Sequence, residues 1–160
     1  MPKSRRRIRV AGFAAALGLV TACATGQTYS EVAVELTPPP AGEGRIMLYM
    51  TDASAQQHFF PTVTVDSAPA ATLKPGTFFY VDRPPGLHQI DVAQQQESVI
   101  SAQIATDPIT IEVFPGKTTY VSASAVAIVA QTQVILRGEA PDDAQRDLWN
   151  LSLLKPEPAE

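Results

Sequence analysis

Polar and apolar side chains alternate with a period of two through most of this chain, and that period excludes a predominantly helical fold. "PITIEVF" sets Ile109, Ile111 and Val113 against Thr110, Glu112 and Phe114. "TVTVD" sets Val63 and Val65 against Thr62, Thr64 and Asp66, and "RIMLYMT" puts Ile46, Leu48 and Met50 on one face. "GTFFYVD", "TTYVSAS" and "TQVILR" add β-branched and aromatic runs of strand length. Between the runs stand Pro75-Gly76, Pro85-Gly86 and Pro115-Gly116. In such a pair proline presets the first central turn position and glycine accepts positive φ at the next, as a type II turn requires.

Short alternating strands separated by turn signals predict a mainly β fold, a small antiparallel β-sandwich of Ig-like or Greek-key type. One segment breaks the period. "EAPDDAQRDLWNLSLL" has Pro141 near its start, Asp142 and Asp143 in the first turn, and Ala144, Leu148 and Leu151 on one stripe, which predicts a short C-terminal helix. The folded domain is expected over residues 44–154, a length sufficient for one real core.

The N-terminus carries a different message. Lys3, Arg5, Arg6, Arg7 and Arg9 precede the small apolar run "VAGFAAALGLV", which is too short to span a bilayer and fits a secretory signal peptide over residues 1–22. "SRRRI" partly resembles a twin-arginine signal, but Arg9 interrupts its apolar continuation and favours the general secretory route. The run ends in Val20-Thr21-Ala22-Cys23, which resembles the lipobox of bacterial lipoproteins. That resemblance implies a diacylglyceryl thioether on Cys23, cleavage between Ala22 and Cys23, and acylation of the new amine by a fatty acid such as palmitate. One chain holds a protein to a bilayer only marginally, whereas two or more hold it stably. Ala24 is not acidic, and by known sorting rules that implies the outer membrane, periplasm-facing. Cys23 is the single cysteine, so no intrachain disulfide can form. Residues 23–43 are rich in Thr, Ser, Gly and Pro, end near Pro38-Pro39-Pro40, and are expected to form a tether, with "EVAVEL" a possible edge strand. Residues 155–160, polar and broken by proline, are expected as a disordered tail.

Cleavage would remove five cations and leave seven basic against sixteen acidic residues, a net charge near −9. No basic stripe survives, which argues against nucleic acid and against tight binding of anionic headgroups. The sequence holds no phosphate-cradling glycine loop, nucleophile elbow or His-Glu-x-x-His. His58 and His88 lie thirty positions apart without a partner at metal-ligand spacing, so neither metal nor cofactor is expected. His88 shares strand parity with Ile90 and Val92, which points it to the apolar face. There it is expected to lock the Pro85-Gly86 turn by a hydrogen bond.

The segments "PPPAGEGRIMLYM", "PTVTVDSAPAATLKPGTFFYVDRPPGLHQIDV" and "IEVFPGKTTYVSAS" resemble a domain-of-unknown-function family of bacterial lipoproteins. The likeness rests on Gly44-Arg45-Ile46, Val63 to Asp66, Tyr80, Pro84 to His88 and Pro115 to Tyr120. It departs at Met47, Met50 and Thr119 and in the apolar "AVAIVA". The shared motifs are turn and strand grammar; they imply a fold and carry no reaction. The expectation is therefore a lipid-anchored, non-enzymatic envelope module that binds an envelope protein or glycan, with strand addition at an open edge as the simplest mode. Core packing of a small sandwich accounts for most of the aromatics in "QQHFFP" and "GTFFY", and a stacking surface for such a partner is the alternative. The alternative is an envelope-polymer hydrolase or metal-binding protein recruiting His58, His88 and Asp82 or Asp91.

Overall fold

A computed structural model describes residues 26–52, 60–93, 103–128 and 131–154. Ten strands and two short helices follow in the order α1 (Tyr29–Val32), β1 (Gly44–Met50), β2 (Thr62–Val65), β3 (Ala68–Thr72), β4 (Thr77–Arg83), β5 (Gly86–Ala93), β6 (Gln103–Thr106), β7 (Ile109–Val113), β8 (Thr118–Ile128), β9 (Gln131–Glu139), α2 (Pro141–Leu148) and β10 (Ser152–Leu153). They form two sheets, one ordered β10-β4-β1-β8-β9-β6 and the other β3-β2-β5-β7. This is the mainly β sandwich that the period of two predicts.

The larger sheet is mixed rather than wholly antiparallel. β1 runs parallel to β8, β4 to β10, and β6 to β9. The cause is the chain's path: it crosses between the sheets after β1, β3, β4, β5, β6 and β7, so strands return to the larger sheet beside non-sequential neighbours.

Between the sheets lies the main core. Ile46, Leu48 and Met50 from β1, with Phe79 and Val121, meet Val63, Val65, Ile90, Val92, Ile111 and Val113 from the smaller sheet. Every residue of β1 is buried, because the outer face of the larger sheet is covered as well. There Met47, Tyr49, Phe78 and Tyr120 pack under Tyr29 and Val32 of α1 and under Ala144, Leu148 and Leu151. Tyr29 meets Phe78 edge-on, with ring centroids 5.5 Å apart.

This second core corrects the expected tether. Residues 26–36 are part of the folded body, and "EVAVEL" forms the end of a helical turn rather than an edge strand. The Tyr29 amide donates to the Leu151 carbonyl at 2.8 Å, the Leu153 amide donates to Gln27 at 2.8 Å, and Thr28 bridges Ser152. The Glu31 carboxylate accepts from the Thr28 amide at 2.8 Å, and that bond holds it below the usual carboxylate range. Burial of Tyr29 and Val32 against the apolar outer face, beside Ala144, Leu148 and Leu151, is the physical reason that the segment folds down. The C-terminal helix is also shorter than its stripe suggests. It ends at Leu148, and Leu151 reaches the same apolar face from the following turn.

Candidate functional site

Two polar clusters stand out against this apolar frame. The first sits where β4 crosses to β5. Gly76 and Gly116 have φ of 75° and 67°, and in each turn the amide after the glycine donates to the carbonyl three residues back at 3.1 Å. Pro85-Gly86 differs from the type II turn expected of it. Gly86 has φ of 139° and already opens β5, an extended mirror-image conformation that side chains reject.

His88 closes this corner from inside. It keeps parity with the buried Ile90 and Val92, and its side chain is 11% exposed. Ring Nδ1 lies 2.7 Å from Asp66 Oδ2, and Nε2 lies 2.8 Å from the Pro84 carbonyl oxygen. Asp66 comes from the β2–β3 hairpin, whose two linking residues, Asp66 and Ser67, have φ of 52° and 68°. Two positive φ values mark the primed turn that suits hairpin twist. Asp66 is fixed there twice more: its amide donates to the Gln89 carbonyl at 2.9 Å, and Oδ1 accepts from the Gln89 amide at 3.0 Å. Burial opposes the charged form of His88, but the Asp66 hydrogen bond, the Pro84 carbonyl and the Asp66 charge outweigh it and hold its pKa above the ordinary histidine value. The bond to His88 correspondingly lowers that of Asp66.

The second cluster is a buried ion pair on the outer face. Arg45, 4% exposed, donates from Nε and Nη2 to the two carboxylate oxygens of Asp82 at 2.7 and 2.9 Å. Its Nη1 donates to the Thr37 carbonyl at 2.9 Å, and its guanidinium carbon lies 4.2 Å from the Tyr80 ring centre. Arg45 and Asp82 are direct register partners of β1 and β4. This fork-to-fork geometry is the strong form of a charged hydrogen bond. It also pins the chain just before the triple proline to the sheet.

The remaining residues singled out in the sequence are dispersed. Asp91 Oδ1 accepts from the adjacent Val92 amide at 2.7 Å, on the strand face away from His88. Pro115 and Gly116 form the β7–β8 turn, and the Gly116 amide donates to the Glu43 carbonyl at 2.7 Å. Ala22, Cys23 and His58 lie outside the described residues. The aromatics of "GTFFY" split between faces: Phe78 goes to the outer core, Phe79 to the inner core, and Tyr80 under Arg45. They therefore form no single stacking platform.

A histidine held by a carboxylate is also the geometry of an oriented general base, but such a base keeps its second nitrogen free for substrate. In His88 that nitrogen faces Pro84. Among the described residues no three His, Cys, Asp or Glu side chains are grouped to hold a metal ion, and no helix is long and apolar enough to cross a membrane. Sequence reasoning missed Asp66 as the partner of His88 and Arg45 as the partner of Asp82. A two-residue Asp-Ser link between alternating runs was the available signal for the first; an arginine in parity with Met47 and Tyr49 was the signal for the second. No protein-family model, curated protein or solved structure matches this chain.

Proposed function

We propose that this protein is a lipid-anchored component of the bacterial cell envelope, held at the outer membrane by Cys23 and facing the periplasm. Its sandwich acts as a non-enzymatic binding or interaction module for an envelope protein or glycan. The observation that carries the reading is the placement of the single cysteine, directly after a cationic stretch and a short apolar run ending Val20-Thr21-Ala22. Membership of the resembled lipoprotein family belongs to the same proposal.

The packing of residues 26–36 adds a geometric consequence. Only three peptide steps separate Cys23 from Gly26, so the anchor reaches at most about 10 Å from the β10 edge of the domain. The domain then rides close to the bilayer instead of on a long spacer. Strand addition at the smaller sheet is a poorer mode than expected, because its edges are managed. β3 carries Pro69, which has no amide to donate, and on β7 the Glu112 carbonyl accepts the Thr119 hydroxyl at 3.0 Å. Side-chain surfaces are the better candidates for contact. No described geometry favours the hydrolase or metal alternative, since His88 is held at both nitrogens and Asp82 by Arg45.

Replacing Cys23 with Ser tests the proposal. Lipid labelling should disappear and unprocessed precursor accumulate. A variant still processed and still fractionating with the outer membrane would refute it.

A further inference from the structure

The contacts of His88 carry an inference that is independent of the anchor. A neutral imidazole has one N–H and one bare nitrogen, whereas imidazolium donates from both. Both oxygens facing this ring, Asp66 Oδ2 and the Pro84 carbonyl, only accept. The geometry is thus satisfied by the imidazolium and by no neutral tautomer. Of the two acceptors the charged one makes the stronger bond, so a ring with a single proton keeps Asp66 and turns a lone pair towards Pro84.

We propose that His88 is a proton-operated staple: as imidazolium it ties the β4–β5 corner to the β2–β3 hairpin, and loss of one proton releases the corner at Pro84. The groups around it are few. Asp66 faces it from the hairpin, and Arg83, at the end of β4, opposes its charge from the other sheet. On β7 its register partner is Ile111, while Glu112 pairs with Leu87 on the opposite face. The net effect places His88 above the ordinary histidine value and Asp66 below the ordinary carboxylate value. The corner is therefore held at pH below the ordinary histidine value and let go as pH rises through the raised one. What it releases is an apolar tip: Leu87 is 73% exposed, and in the strand register it lies diagonal to Phe114, which is 50% exposed.

Nitrogen-15 NMR of the full-length protein, titrated between about pH 5 and 9, tests this against a free-histidine midpoint near 6.5. Two readouts are needed: the ring nitrogen shifts of His88 and the heteronuclear NOE of the Gly86 and Leu87 amides. The staple requires a His88 midpoint above the free value, with the Gly86 and Leu87 NOE falling at that same midpoint while Thr64 and Ile111 stay constant. In Asp66→Asn both midpoints should move down together, and in His88→Gln the NOE should lose its pH dependence. A ring that titrates without any change at Gly86 and Leu87 would overturn the staple. So would a midpoint below the free value, or one that Asp66→Asn leaves in place. Should His88→Gln fail to fold, the wild-type and Asp66→Asn titrations decide alone.

Discussion

Asp82→Ala would leave the Arg45 guanidinium, 4% exposed, with the Thr37 carbonyl and the Tyr80 ring as its remaining partners. Removing one member of a buried pair costs about 3–5 kcal/mol, because the other charge stays buried without compensation. The Asp82 side chain is 20% exposed, so water reaches that end of the pair, and the expected loss sits at the lower edge, about 3 kcal/mol. Arg45→Met keeps most of the apolar stem that packs beside Tyr80 and leaves a carboxylate that water can reach, so its cost should be smaller, about 2 kcal/mol. The double variant Arg45→Met/Asp82→Leu removes both charges and fills the space, and should lie within about 1 kcal/mol of wild type. With Asp82→Leu as the matching single variant, expected to cost about as much as Asp82→Ala, the cycle closes with a coupling of about 4 kcal/mol. Urea unfolding followed by far-UV circular dichroism at neutral pH reads all five proteins by linear extrapolation. If Asp82→Ala costs under about 1 kcal/mol and the double variant recovers nothing, the pair is screened by solvent and the reasoning fails.

Gly86→Val should destabilise by more than about 1 kcal/mol through backbone strain alone, since no atom lies within 4 Å of the position its Cβ would take. Gly138→Val, also with open space but without positive φ, should stay within about 0.5 kcal/mol; thermal melts that rank the two equally would dismiss the strain. A chain beginning at Gly44 loses the buried Tyr29 and Val32, and should be less stable than one beginning at Gly26 by about 3 kcal/mol or more. It should also bind a hydrophobic dye at the exposed outer face; equal stability would return residues 26–36 to the status of a tether. Stability contributed by the staple should be full below the ordinary histidine pKa and fade as pH rises through the raised value. On the acid side the contribution of Asp66 should persist until pH falls through its lowered value. Urea midpoints of wild type and His88→Gln across that range should diverge in acid and converge in base.

The strands were legible because alternation is a local property. β7 follows its pattern residue by residue, with Ile111 and Val113 inside, whereas in β2 Val63 and Val65 lie inside as expected but Thr64, expected outside, is buried as well. β1 was half legible: Ile46, Leu48 and Met50 mark the inner face, but Met47 and Tyr49 are equally apolar, and a strand apolar on both faces does not say what covers the second one. The cover is shared by α2 and α1, and the signal of α1, Tyr29, Val32 and Leu36 at spacings of three and four, is only one turn long and lies among Thr, Ser and Pro. Parallel pairing of β1 with β8 depends on how the chain crosses between sheets, which no local pattern encodes. The same is true of the polar clusters. His88 declared its inward direction through parity with Ile90, but Asp66 is 22 residues away and meets it only because two turns share one end of the sandwich. The equal punctuation at Pro75, Pro85 and Pro115 concealed that the middle corner is closed by a side chain instead of a backbone bond.

The proposal that this is a membrane-anchored module stands on Cys23, and mass spectrometry of the protein extracted from its native membranes addresses that residue directly. The expected species begins at Cys23, lacks residues 1–22, and carries a diacylglyceryl thioether on the cysteine with a further acyl chain on its amine. A chain that retains residues 1–22, or one whose Cys23 thiol is unmodified, would contradict the account.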